Sequence, residues 1–435
     1  MKVNEPPSIR RIIFVIVVEN FKVENFMKIL HTADWHLGKK LEQSERTDEH
    51  QHFLDWLIDK LSSECIDVLI IAGDIFDTGS PSNTAFEQYY RFLRHVKNTC
   101  CREVIIIGGN HDSISTLNAP KELLKYFNVH IVGGVPDVFT EQIISIYNKA
   151  GRLELVVCAV PFLRDRDVRL AVAGETTSER EGRLKKGICD HYNQFKEHIK
   201  QYKIDGVPVI ATGHLFAAGS STSDSEKEIH VGNLGQVCGD QFPEEFDYIA
   251  LGHIHRPQLV NNMDHIRYSG SPVPLSFSET DDKKQVIILE FEGGKLTRLE
   301  EMEVPCCRKL IRIKGDLETV KKKLLLLEDQ QNIYPAWVEV QVETDTFIYD
   351  LDDLLHKLVV EKPFIEKLFT RQVRQRAARN LDEQTEDAQA LSDLDPMTVF
   401  LKRYESQFPG NKDEEMLQTF SEVLERLEDK EVVGS

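Results

Sequence analysis

Two aliphatic runs constrain the fold of this chain more than any other feature: VLIIA at 68–72 and VIII at 104–107. Each is apolar at every position. Such strands have no face for water, and they belong to parallel sheets covered on both sides. Between them lies AFEQYYRFLRHV (85–96), which has helical spacing, with Ser82 or Asn83 placed to cap its start. FLDWLIDKL (53–61) shows the same spacing through Phe53, Leu54, Leu57, Ile58 and Leu61. A first strand opens at Met27. The order is βαβαβ and predicts an α/β core. Further strands are expected at LELVVCAV (153–160), VPVIAT (207–212), FDYIALGH (246–253) and QVIILEFEGG (285–294), so a layered α/β/α or sheet-sandwich core should end near residue 300.

Five segments place polar residues just beyond an apolar strand. They are TADWHLG (Asp34, His36), AGDIFDTG (Asp74), GGNHD (Asn110, His111, Asp112), ATGHLF (His214) and ALGHIH (His253, His255). Sites in α/β sheets gather at the carboxyl ends of strands, so these segments can converge on one edge. Residues i and i+2 of extended backbone point the same way. Asp34 with His36, and His253 with His255, can each aim two groups at one place. Glycines at 73, 108, 109, 213 and 252 precede the polar groups and permit close backbone approach. The set holds His, Asp and Asn but no thiolate, which suits manganese, iron or zinc. It exceeds what one metal with open positions can use. Two metals sharing a carboxylate would use it well, and such pairs suit phosphoester hydrolysis. A single histidine after a strand is more often structural, and Asn and Asp are ordinary turn formers. Five such endings in one domain make coincidence the poorer explanation. His31 lies inside the first strand pattern and is expected to be packed; His50 and His52 flank a helix start and are expected at the surface or in a groove.

The formal net charge of −19 taken alone speaks against nucleic-acid binding, which needs clustered Lys and Arg. The segment 379–435 carries 6 basic and 15 acidic residues, however, so the total does not exclude a basic groove elsewhere. None of the eight cysteines forms a C-x-x-C pair, and reduced thiols of a cytoplasmic protein are expected. IIFVIVV (12–18) is too short to span a bilayer, and no small-residue cleavage site follows it. Met27 is the expected natural start, with residues 1–26 an upstream extension.

Past a first domain of 27–300, a small α+β module is expected over 304–379: strand KLIRIKG, helix LETVKKKLLLLED, strand AWVEVQVET and helix YDLDDLLHKLV. RQVRQRAAR (371–379) carries four arginines that suit either a DNA backbone or a solvated face. An acidic linker (380–395) leads into a helical region, 396–435, broken at Pro409 and Gly410. Its second helix has an apolar stripe of Met416, Leu417, Phe420, Val423, Leu424 and Leu427. A partner groove or the chain's own body would have to cover that stripe.

At the five polar segments the chain resembles the calcineurin-like metallophosphoesterases, whose D-x-H, G-D, G-N-H-D/E, G-H and G-H-x-H elements occur here in order. HTADWHLGKKL, AGDIFDTGSPSNTAF, FPEEFDYIALGHIHRPQ and YSGSPVPLSFSE resemble more narrowly the nuclease subunits of bacterial SbcC–SbcD complexes. The likeness runs from residue 27 to 408, and more loosely over the last helix. It implies a metallophosphoesterase nuclease domain over 27–300 and a capping domain over 304–379. It implies that Asp34, His36 and His255 hold one metal, that Asn110, His214 and His253 hold a second, and that Asp74 bridges them. It implies manganese as the ion. It implies that His111 faces the scissile phosphate and that Asp112 holds the His111 ring by a hydrogen bond. The implied activity is exonuclease on double-stranded DNA and endonuclease on single-stranded or hairpin DNA, in repair, recombination and replication. The implied partners are DNA, a second copy, and an SbcC-like ATPase with a coiled coil bound through 396–435. No G-x-x-x-x-G-K-[ST] occurs here, so ATP binding is expected on that partner. The metal motifs alone suit equally a stand-alone nucleotide phosphodiesterase or phosphatase. A scaffold without metals is disfavoured by the complete ligand set.

Overall fold

The computed structural model describes residues 26–169, 176–217, 220–221, 239–344 and 346–373. The expected acidic linker, the tail helices and Arg374 to Arg379 lie outside them, as do residues 1–25 and most of the Ser-rich segment 219–228.

Strand β1 (Phe26–Thr32) begins one residue before Met27, with Phe26 paired to Glu292. A short hairpin, β2 (Lys40–Leu41) and β3 (Ser44–Glu45), precedes helix α1 (Thr47–Ser63). Then come β4 (Val68–Ala72), α2 (Asn83–Val96) and β5 (Glu103–Ile107). Ser82 caps α2, its hydroxyl accepting from Ala85 N. Short helices α3 (Ile114–Asn118) and α4 (Lys121–Lys125) lead to β6 (Val129–Val132). The second half has β7 (Ile143–Tyr147), β8 (Leu153–Cys158), α5 (Asp165–Val168), α6 (Thr177–Ile204), β9 (Val209–His214), β10 (Tyr248–Gly252), β11 (Gln258–Val260) and β12 (Met263–Tyr268). A final hairpin, β13 (Gln285–Glu292) and β14 (Lys295–Glu303), returns to the first half.

These strands make two six-stranded sheets, ordered β14-β13-β1-β4-β5-β6 and β11-β12-β10-β9-β8-β7. β1, β4, β5 and β6 pair in parallel, as the all-apolar runs require. Side chains alternate across each strand. Ile70, Ile105 and Ile107 of the first sheet therefore face Val157, Ile210 and Ala250 of the second, in a core between the sheets. Leu69, Ile71 and Ile106 face outward onto Phe53, Leu57, Tyr89 and Phe92 of α1 and α2. On the other side Val156, Ala211 and Leu251 pack under Tyr192, Phe195 and Ile199 of α6. The layers run helix, sheet, sheet, helix, so of the two expected arrangements the sandwich is the one formed.

The module after residue 304 is β15 (Arg308–Gly315), α7 (Leu317–Leu325), β16 (Tyr334–Glu343), α8 (Leu351–Val359) and β17 (Ile365–Val373). Its three strands are all parallel, joined by two helical crossovers, with their own apolar core. A buried knot joins it to the first domain. Glu49 Oε1 accepts from Arg46 Nε at 2.9 Å and from Arg308 Nε at 2.8 Å. Both guanidinium groups, and the ammonium of Lys367, lie over the ring of Trp337. Shared charge and a cation-binding ring thus replace the water these groups would otherwise need. Arg371 pairs with Glu42 and Glu339, so at this position of the arginine run the cation is held by carboxylates.

Candidate metal centre

The loops after β1, β4, β5, β9 and β10 meet at the carboxyl ends of their strands. The first two loops are zipped by backbone bonds, Asp34 N to Gly73 O and His36 N to Asp74 O, both 3.0 Å. Asp34, His36, Asp74 and His253 have left-handed backbone, with φ of 54°, 47°, 48° and 97°. Strain of this kind costs on the order of 1–3 kcal/mol per residue and persists where the surroundings impose it. Close approach explains two of the glycines. A Cβ on Gly109 would lie 2.1 Å from Asp74 Oδ1, and one on Gly73 would lie 2.3 Å from His214 Nδ1.

The structure brings together all seven residues expected to hold metal. Ligand atoms of Asp34, His36 and His255 lie within 4.8 Å of one another, and so do those of Asp34, Asp74 and His214. Asp74 Oδ2 stands 3.4 Å from His36 Nε2 and 3.2 Å from His214 Nε2, within reach of both clusters. Asn110 Oδ1 lies 3.0 Å from His214 Nε2 and 2.8 Å from His253 Nδ1. The Ala72 carbonyl lies 2.9 Å from His214 Nδ1, which fixes the proton there and turns Nε2 toward Asp74. His253 N donates to Asp34 Oδ1 at 2.8 Å.

The electrostatics call for positive charge. Asp34 is fully buried, and burial raises its carboxyl to about 7 although His214 and His255 pull it down. Its Oδ2 has no hydrogen-bond partner, nor has His36 Nε2. Burial lowers His36 to about 4, the neutral form a metal requires. Burial also opposes the charge of Asp74, but His214 foremost, then His36 and His111, holds its carboxyl well below the usual range. A set of buried oxygens and ring nitrogens with orphaned atoms, and no thiol, fits hard to borderline divalent cations. The centre binds divalent metal.

His111 and Asp112 part company here. The His111 ring packs edge-on to His36, with centroids 4.8 Å apart. Its Nδ1 lies 2.7 Å from the carbonyl oxygen of Asp77, and Nε2 has no hydrogen-bond partner. Asp112 does not hold this ring, contrary to expectation. Its oxygens accept from Ile75 N at 3.1 Å, Phe76 N at 3.0 Å and Gly109 N at 2.9 Å. It therefore clamps the loop after β4 to the loop after β5. Three backbone donors from two loops hold this buried carboxylate, while the neighbouring His111 ring is anchored by the Asp77 carbonyl instead.

Sequence reasoning missed the supporting groups. Asp77 Oδ1 lies 3.2 Å from His36 Nδ1 and 3.1 Å from Lys39 Nζ, and burial of this carboxyl is outweighed by His36 and Lys39, which lower it to about 2. The repeat of Asp three residues after Asp74 was the available signal. Glu279 Oε1 stands 3.8 Å from His255 Nδ1, and its Oε2 accepts from Lys284 Nζ at 2.6 Å. Burial opposes the charge of Glu279, yet Lys284 and then His255 hold its carboxyl well below the usual range. Carboxylates behind ligating histidines fix ring orientation, and their loss costs about 10–100-fold in metal affinity. Glu279→Gln is therefore expected to weaken metal binding by about that factor in calorimetric titration; wild-type affinity would remove Glu279 from this role. His31 is packed as expected, with Nδ1 3.0 Å from Tyr248 Oη. His50 is not at the surface: it is 1% exposed, because α1 begins earlier than the apolar spacing suggests and carries it inward.

Comparison with known proteins places these features in a lineage. The family model described as calcineurin-like phosphoesterase matches residues 27–257. One described as a type 5 capsule protein repressor C-terminal domain matches residues 306–408. The SbcD component of the SbcCD nuclease of Escherichia coli K12 is 37% identical over 381 residues, covering 87% of this chain and 92% of that protein. Its counterpart in the SbcCD nuclease of Bacillus subtilis 168 is 32% identical over 417 residues, covering 93% of this chain and all of that protein. Among solved structures, a dimetal phosphatase from Danio rerio is 10% identical with a TM-score of 0.35, covering 64% of this chain and 98% of that one.

Proposed function

The chain belongs to the calcineurin-like phosphoesterases and, within them, to the SbcD family of nuclease components, and from that membership we propose that it is a metal-dependent nuclease that cleaves DNA phosphodiester bonds as the SbcD component of an SbcC–SbcD complex. The observation that carries the reading is the position of Asp74 Oδ2, 3.4 Å and 3.2 Å from the histidines of two ligand clusters. One carboxylate between two clusters is what a two-metal phosphoesterase needs.

In this proposal Asp34, His36 and His255 would hold one cation, Asn110, His214 and His253 would hold the other, and Asp74, within reach of both clusters, would serve both. Bound divalent cations, with manganese as our choice, supply an activated water and positive charge against the phosphate. The chain's own residues do the rest. The Asp77 carbonyl keeps the His111 proton on Nδ1, so Nε2 is the atom that takes or gives a proton at the phosphate or the leaving oxygen. Asp112 holds the loops that carry Asp74 and Asn110. The zipped backbone after β1 and β4 keeps the ligands in place before substrate arrives.

The partners follow the same reading. The module at 304–379 caps the DNA, and 396–435 binds the coiled coil of an SbcC-like ATPase, with repair, recombination and replication as the settings. Self-association is supported by Leu123, Tyr126 and Phe127, apolar positions exposed around the end of α4. No described helix is long and apolar enough to cross a membrane.

The test is hydrolysis of linear duplex and hairpin DNA, with and without manganese, and with and without the ATPase and ATP. Manganese-dependent cutting of both DNAs, extended by the partner, is expected. Activity confined to mononucleotide esters would instead make it a stand-alone phosphodiesterase.

A further inference from the structure

We propose that Cys65 and Cys100 form a reversible disulfide, an oxidation site on the pole of the first sheet opposite the metal centre. Cys65 follows α1 and Cys100 follows α2, each just ahead of a strand, β4 and β5. Both are exposed, whereas Cys101, Cys158 and Cys307 are buried. Cys65 Sγ and Cys100 Sγ each lie 3.7 Å from the same atom, the carbonyl oxygen of Ser62. Two sulfurs that share one acceptor atom are neighbours, and side-chain rotation would bring them toward the roughly 2.05 Å of a disulfide. Cys65 has left-handed backbone, φ 51°, in the turn that ends α1, which brings its side chain back toward Ser62.

The chemistry balances with a peroxide as oxidant. The Cys65 thiolate attacks hydrogen peroxide, the O–O bond breaks, and with one proton a sulfenic acid and water are formed. The Cys100 sulfur then attacks the sulfenyl sulfur, its proton leaves with the hydroxyl as a second water, and the S–S bond forms. Two thiols lose two electrons and one peroxide gains them. The same steps balance with the two sulfurs exchanged, since both are exposed.

The bond would tie the end of α1 to the α2–β5 turn. β4 and β5 are five residues long, about 3.3 Å each, so roughly 15 Å or more separates it from Asp74 and Asn110. Hydrolysis should therefore be unchanged, while the cross-link narrows the unfolded ensemble and raises the melting temperature.

The full chain, treated with hydrogen peroxide and then alkylated, is mapped by mass spectrometry without reduction. A Cys65–Cys100 linked peptide, two hydrogens lighter and reversed by dithiothreitol, is expected. The oxidised protein should melt higher than the reduced one. Cys65→Ser and Cys100→Ser should each lose the peptide and the shift, and Cys101→Ser should keep both. Separate sulfinic acids at the two positions, a link to Cys101, a link between copies, or no link at all would overturn the proposal.

Discussion

Asp74→Ala is expected to lose both cations and to lower hydrolysis by about 10³–10⁴-fold, since a bound metal supplies several kcal/mol of charge stabilisation and each 1.36 kcal/mol is tenfold in rate. Asp74 Oδ2 is the oxygen near both His36 and His214, so its removal takes a ligand from each cluster at once. The other oxygen accepts from His111 N at 2.9 Å, and Asp74→Asn, which keeps that bond, separates loss of charge from loss of loop geometry. Metal content by mass spectrometry of the purified variant is the measurement. One full equivalent bound at wild-type affinity would mean that Asp74 serves a single site. Proton release supplies a second readout. Asp34, raised to about 7, must ionise to bind, and His214, raised to about 9 by Asp74 against its burial, must lose its proton. Metal affinity should therefore rise with pH across about 6–9, with protons released on binding.

His111→Ala is expected to keep its metals and lose about 10²–10⁴-fold in rate, the usual contribution of a general acid or base. The ring is anchored at Nδ1 by a carbonyl and presents a buried Nε2 without a partner. It also stands close enough to His36 and Asp77 that the three could share a cation. Metal stoichiometry decides between the roles. A variant that cuts slowly with two cations has lost a proton-transfer group. A variant that has lost a cation would make His111 a ligand, and the division of labour with Asn110 would be wrong.

Position in a strand explains which residues were legible. Asp34, His36, Asp74, Asn110, His214, His253 and His255 announce themselves because each ends an apolar run, and parallel strands bring such ends together. Asp112 stands at the same kind of ending, and the ring-holding role that the resemblance implied for it fails because backbone N–H groups take the carboxylate instead. Asp77 and Glu279 look like ordinary loop carboxylates, since what makes them matter is a histidine on another segment. The long helix Thr177–Ile204 is equally hard to read, because Gly182, Gly187 and many charges blur its apolar stripe. The all-parallel arrangement of the second module depends on pairing β17 with β16, a choice made by contacts between segments far apart in the chain.

Local chemistry along the chain determined the parallel sheet, the order of the polar loops and which polar groups end the apolar strands, because each follows from the composition and spacing of a few neighbouring residues. Tertiary structure alone decided that two sheets stack face to face, that Asp74 stands between two clusters, that Asp112 serves the backbone, and that two cysteines from different loops share one carbonyl. Those outcomes rest on distances of about 3–4 Å between residues tens to hundreds of positions apart. Spacing in sequence carries no such distance until the whole core has closed.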